Sequence, residues 1–184
     1  MTLKRDAAQL LVVDVQERLL PAMHGGAHAS AQIGILIRAA RHLGIPITIS
    51  EQYPRGLGST VSSLLDAAAG EAVVLPKTSF SCFRTPALAE RMSALRTQRR
   101  SQVVLCGIEA HICVTQTALD LHAAGYAVAV VTDAVASREP ASKAVAISRL
   151  VQAGIVPLTT EMVAFEWLGE AGTADFKALL PLIK

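Results

Sequence analysis

Three residues of this 184-residue chain could between them make an activated nucleophile: Cys113, Asp14 and Lys77. Cys113 lies in the stretch Gln102 to Gly125, where Val103 to Cys106 is a short apolar run rich in β-branched residues, as expected of a strand buried on both faces. Gly107 is read as the break in that run. From His111 the pattern takes helical spacing through Ile112, Thr115, Leu119 and Ala123, with Gly125 as the stop. Cys113 therefore falls in the first turn of a predicted helix, just past a strand end. Unpaired N–H groups and the positive end of the helix dipole favour a thiolate there, and the same N–H groups could hold an oxyanion. Asp14 closes the apolar run Gln9 to Val13, and Lys77 follows the run Ala72 to Leu75. A carboxylate can take the thiol proton and an ammonium can hold the thiolate. Taken singly, Asp14 could cap the next segment, Lys77 could be a surface charge, and Cys113 could fill an apolar gap. Of the other cysteines, Cys106 sits inside a strand run and is read as packing. Cys82 follows Lys77 beside Phe80 and Phe83, and either packs or lines a pocket.

The elements that would bring the three together alternate along the chain. Strands are predicted at 9–13, 45–50, 72–75, 103–106, 126–132 and 155–158, and helices at about 30–43, 61–68, 85–95, 111–124, 140–153, 161–168 and 174–180. Residues 51–58 read as loop. The pattern helix, glycine, strand recurs at Gly44, Gly125 and Gly154. Six strands joined by right-handed crossovers make an α/β fold, a doubly wound parallel six-stranded sheet of order 3-2-1-4-5-6 with helices on both faces. Residues 1–184 are read as a single domain. In such a sheet ligands bind beyond the strand carboxyl ends where the order reverses, here between the first and fourth strands. Asp14 and Cys113 flank that crevice, and Lys77 can lean across from the third strand.

Composition narrows the classes. Hydrophobic residues make up 52% of the chain and charged residues 17%, as in a compact, core-rich protein. A net charge of +2 supplies no footprint for nucleic acid, and the cluster Arg96, Arg99, Arg100 is read as a solvated face. No apolar run is long enough to cross a bilayer, and the polar start Met-Thr-Leu-Lys-Arg-Asp is unlike a signal peptide. Three cysteines without C-x-x-C spacing fit neither a disulfide framework nor a zinc site, and the expected location is cytoplasmic. A mean hydropathy of +0.42 suggests apolar surface buried between subunits of a homo-oligomer. No dinucleotide fingerprint or Walker loop follows any strand, which counts against a non-catalytic nucleotide or cofactor binder. Asp133 is expected to cap the segment after the fifth strand. No cofactor is expected, and the five histidines show no metal-ligand spacing.

The sequence resembles the isochorismatase-like cysteine hydrolases, and the subgroup of isochorismatase-domain proteins in particular. The matching blocks are Leu-Val-Val-Asp14-Val-Gln16, Glu-Gln-Tyr53-Pro-Arg-Gly-Leu-Gly, Lys77-Thr-Ser-Phe80-Ser, Gly107-Ile-Glu-Ala-His-Ile-Cys113-Val-Thr-Gln-Thr and Val131-Thr-Asp-Ala-Val-Ala-Ser-Arg138. The resemblance implies a Rossmann-like isochorismatase-type fold and an Asp14, Lys77, Cys113 triad with Cys113 as nucleophile. It further implies a cis peptide between Ile108 and Glu109, an oxyanion hole from the amides of Glu109 and Cys113, and Gln16, Tyr53, Phe80 and Ile108 around the substrate. Members that hydrolyse nicotinamide carry a metal-binding Asp and two His after the second strand, and this chain has no His there. Members that cleave the enol ether of isochorismate often lack the nucleophilic cysteine. Hydrolysis of a small amide or imide is the expected reaction, with an isochorismate-type hydrolase as the alternative.

Overall fold

The computed structural model describes residues 1–183. Six strands, β1 (Ala8–Val13), β2 (Ile47–Gln52), β3 (Ala72–Lys77), β4 (Gln102–Ile108), β5 (Ala127–Ala136) and β6 (Val156–Leu158), form one sheet of order β3-β2-β1-β4-β5-β6, and every pairing is parallel. The helices are α1 (Gly26–His42), α2 (Pro54–Leu57), α3 (Ser62–Ala68), α4 (Pro86–Thr97), α5 (Thr115–Ala123), α6 (Pro140–Gln152), α7 (Thr160–Leu168) and α8 (Ala174–Ile183). No helix among the described residues is long and apolar enough to cross a membrane.

The central strand β1 explains why its sequence is apolar without alternation. Leu10 and Val12 pack into a core with α1, α3 and α7 that includes Ile33, Leu36, Leu64 and the buried Trp167. Leu11 and Val13 point to the other face, against Leu88, Met92, Val114 and Leu121 of α4, the turn after β4, and α5. Both faces of the strand are covered, as a parallel sheet requires. Each fully buried Leu or Val there contributes about 1.5–3 kcal/mol of transfer free energy.

The observed elements depart from the sequence reading in places. Gly107 does not end β4; it continues the strand at φ 118° and pairs with Val135, just past the shift in the β4–β5 register that follows Leu105. The physical reason is proximity: a Cβ at Gly107 would lie 2.1 Å from the Val13 carbonyl oxygen. Glycine is there to let β4 pass β1, and the strand runs on to Ile108. Likewise β5 continues past Thr132 to Ala136, so Asp133 lies within the strand and caps no segment following it. Its carboxylate instead accepts from the Thr160 backbone N–H (2.9 Å) and hydroxyl (3.1 Å), at the start of α7. Residues 54–57 of the expected loop form the short α2, and α1 begins at Gly26 rather than near Ser30.

Candidate active site

Asp14 is the first residue beyond β1 and is fully buried. Its backbone turns out of the strand in the left-handed region, at φ 54°, an uncommon conformation that Asp tolerates better than most residues. The Asp14 N–H donates to the Ser50 carbonyl (3.0 Å), and Oδ1 accepts from the Ser50 hydroxyl (2.7 Å). Oδ2 lies 2.7 Å from Nζ of Lys77, and both side chains are wholly shielded from solvent.

Lys77, the last residue of β3, reaches past the end of β2. Its ammonium donates to Oε1 of Gln52 (2.6 Å) and to the carbonyls of Ser79 (3.1 Å) and Phe80 (3.1 Å). These three bonds exhaust its N–H groups. The contact with Asp14 is therefore a charge contact, and Oδ2 is left without a hydrogen-bond donor. Burial works against the Lys77 charge, but Asp14 and the thiols of Cys82 and Cys113 outweigh it and raise its pKa. A buried ion pair is retained only when paired and hydrogen-bonded in this way.

Cys113 does not sit in a regular α-helical turn. Residues Ala110–Val114 form one wide turn ahead of α5, in which the Glu109 carbonyl accepts from the N–H groups of Ile112 (3.1 Å) and Val114 (3.2 Å) and passes over that of Cys113. The Thr115 hydroxyl closes the turn on the Ala110 carbonyl (2.7 Å). The Ile108–Glu109 peptide is cis. The thiol also differs from the sequence expectation of a depressed pKa. Burial first, then the Asp14 charge, pushes the Cys113 thiol up to about 12, and Lys77 only partly offsets them. At rest it is a protonated thiol facing the Asp14 charge. Such a group becomes a nucleophile only as its proton is taken.

A cavity of about 120 Å³ opens onto these groups. Asp14, Gln52, Glu109 and Cys113 form its polar side, and Leu19, Leu57, Phe80 and Ile112 its apolar side. Among the described residues no Lys, Arg or His lines it. The Glu109 carboxylate accepts from the backbone N–H and Nε of Arg138, each at 3.1 Å. The other expected pocket residues fall outside this cavity. Gln16 is buried behind it, donating to the carbonyls of Gln52 (2.9 Å) and Gly58 (2.7 Å) and accepting from the Gln52 N–H (2.8 Å). It ties the ends of β1 and β2 to the segment after α2. Ile108 is fully buried against Met23, Ala29 and Ala136. Tyr53, 55% exposed, borders a neighbouring groove with Pro76 and Thr85. Gln52 and Ser50 were missed. They share one side of β2, two residues apart, and a polar pair closing the apolar run Ile47 to Ile49 was the available signal.

Cys82 is fully buried, and its thiol donates to the Ser50 hydroxyl at 3.4 Å. Burial pushes it up to about 11 and pushes Cys106 higher still. Cys113, at 6%, is the only one of the three thiols with any exposure. Iodoacetamide should accordingly label Cys113 before Cys82 or Cys106, slowly at pH 7 and faster as the pH rises. Peptide mapping over a time course checks this, and prior labelling of either other cysteine would remove Cys113 from the nucleophile role.

Comparison with known proteins bears on the same residues. The family description Isochorismatase domain matches residues 8–162, which contain all three polar groups of the site. Isochorismatase domain-containing protein 1 of Danio rerio is 39% identical over 171 residues, 93% of this chain and 59% of that protein. The chain thus spans about three fifths of that relative's length. Isochorismatase domain-containing protein 2 of Bos taurus is 38% identical over 179 residues, 97% of this chain and 83% of that one. Among solved structures, one described as MAR1 ribonuclease from Caenorhabditis elegans superposes with a TM-score of 0.92 and 34% identity, covering 100% of this chain and 92% of its own. With matches of this extent in both sequence and fold, the chain belongs to the isochorismatase family, beside the isochorismatase domain-containing proteins and with that family's hydrolase fold.

Proposed function

We propose that the protein hydrolyses a C–N bond of a small uncharged amide, imide or related carbonyl compound through a covalent intermediate on Cys113. The carrying observation is the Asp14 carboxylate, ion-paired to Lys77 and sharing one cavity with a protonated Cys113 thiol. Asp14 takes the thiol proton as Sγ forms its bond to the carbonyl carbon. The N–H groups of Glu109 and Cys113 hold the resulting oxyanion. When the tetrahedral species collapses, the C–N bond breaks and the departing amine takes the proton back from Asp14, leaving a thioester. Water then attacks the thioester, Asp14 accepts its proton, and the released sulfur recovers a proton as the acid departs. Lys77, 2.7 Å from Oδ2, holds the Asp14 side chain in place.

The lining supports the substrate class. Both carboxylates at the cavity are already paired, Asp14 with Lys77 and Glu109 with Arg138, and among the described residues no basic side chain lines it, so an anionic substrate finds no free counter-ion. This disfavours isochorismate-type substrates, which carry carboxylates, and cleavage without covalent chemistry would leave Cys113 idle. We read the chain as one catalytic domain, working in a homo-oligomer in the cytoplasm, where subunit contact would cover the exposed Tyr53 and Phe80.

A screen of small amides, ureas and carbamates, read by ammonia release, tests the proposal. Activity should survive exhaustive EDTA treatment, because the segment after β2 offers no imidazole and the last two side chains of β2 are committed: Glu51 to Thr60 and Gln52 to Lys77. Activity lost to EDTA and restored by zinc or iron would contradict this. RNA cleavage without ammonia release from any amide would overturn the reading altogether.

A further inference from the structure

We infer that Ser50 is the positioning residue of this site: it fixes which oxygen of Asp14 faces the reaction, with Cys82 holding Ser50 in turn. This rests on the reading of Cys113 as nucleophile and Asp14 as its base.

Ser50 stands on β2 directly opposite Val13 in the β1–β2 ladder, so it is the neighbour of Asp14 across the sheet. It grips Asp14 twice. Its carbonyl accepts the Asp14 N–H at 3.0 Å, and its hydroxyl donates to Oδ1 at 2.7 Å. The first contact anchors the backbone at the point where it leaves the strand at φ 54°. The second commits Oδ1 and sets the rotation of the carboxylate. Oδ2 is thereby turned towards Lys77 and the cavity, and it has no donor of its own.

A hydroxyl can donate one proton and still accept others. Ser50 uses its proton on Asp14, and its oxygen accepts from the Cys82 thiol at 3.4 Å. Cys82 is itself held by its backbone N–H, which donates to the Thr117 hydroxyl at 2.9 Å. Thr117 belongs to α5, the helix that continues from the Cys113 turn. The base on β1 and the nucleophile ahead of α5 are therefore linked through Ser50, Cys82 and Thr117, all three fully buried. The direction of the bonds matters. The Ser50 proton neutralises part of the carboxylate charge, and without it more of that charge would bear on the Cys113 thiol and tighten its hold on the proton. Serine here does more than fill space.

Two readouts test this, one independent of any substrate. The first is the rate of Cys113 alkylation by iodoacetamide at pH 8, followed by intact mass. The second is ammonia release, per titrated Cys113, from an amide found in the screen. Ser50→Ala should slow both by about 10–100-fold, the effect of losing one hydrogen bond to a charged group. KM should hold, because Ser50 does not line the cavity. Ser50→Thr, which keeps the hydroxyl, should recover most of the rate. Cys82→Ala should cost about 2–5-fold, as suits a weak S–H donor, and Cys82→Ser should recover it. Thermal unfolding of each variant separates positioning from folding. A lowered Tm with both rates within twofold of the parent protein would make Ser50 merely structural and overturn the inference. If no amide is hydrolysed but alkylation still slows in Ser50→Ala and recovers in Ser50→Thr, the proposed reaction fails while the positioning role stands.

Discussion

Asp14→Asn should fold, lose turnover by about 10²–10⁴-fold, and yet alkylate faster at Cys113. The two effects have one cause. After burial, the Asp14 charge is what raises the Cys113 thiol, so replacing the carboxylate by a neutral amide brings the thiol down from about 12 and releases more thiolate to iodoacetamide. Catalysis needs the proton moved to the departing amine as well as removed from sulfur, and asparagine cannot carry it. Folding survives because the asparagine side-chain oxygen can still accept from the Ser50 hydroxyl, and the three other acceptors of Lys77 remain in place. Parallel measurement of ammonia release and of alkylation rate decides the matter. If both fell together, Asp14 would be a scaffold for Cys113 and nothing more; near-normal turnover would exclude it from the chemistry.

Lys77→Ala should move both readouts down and weaken the fold. Lys77 is the group that lowers the Cys113 thiol, so without it the thiol rises further and alkylation slows. Part of the lost activity should return as the pH is raised. Removing one partner of a buried ion pair also leaves an uncompensated charge, worth about 3–5 kcal/mol of stability in urea unfolding. That difference has its own pH dependence. Because the folded-state pKa of Lys77 is raised above 10.5, its contribution is fully present below that value and is lost as pH rises through the folded pKa. The gap between parent and variant should therefore be widest near neutrality and close in strong alkali. A constant gap across that range would mean that the loss comes from packing rather than charge.

Much of this was legible in the residues because the relevant physics is local. Apolar runs, with glycines closing the helical stretches before several of them, are enough to place six strands and their order, and the order alone brings Asp14 and Cys113 to one crevice. What could not be read depends on neighbours distant in sequence. Gly107 resembles a chain break until the Val13 backbone is seen pressed against it. The turn carrying Cys113 resembles the start of an ordinary helix because its widening is set by which N–H groups the Glu109 carbonyl takes. The thiol resembles a thiolate because helix position and Lys77 are visible in the sequence, whereas burial and the facing carboxylate are tertiary and larger. Gln16 carries the right chemistry to touch a ligand, but all of it is spent on backbone.

The cavity also bears on the timetable of the proposed reaction. A space of about 120 Å³ suits a small acyl group. In the proposed reaction the amine departs before water attacks, a ping-pong order in which the acylated sulfur waits for whichever small nucleophile enters next. Water is the commonest visitor, but hydroxylamine or methanol is small enough to compete for the same thioester. On the proposed mechanism the protein would act as an acyl-transfer catalyst, hydrolysing in water and transferring the acyl group where another small nucleophile is abundant.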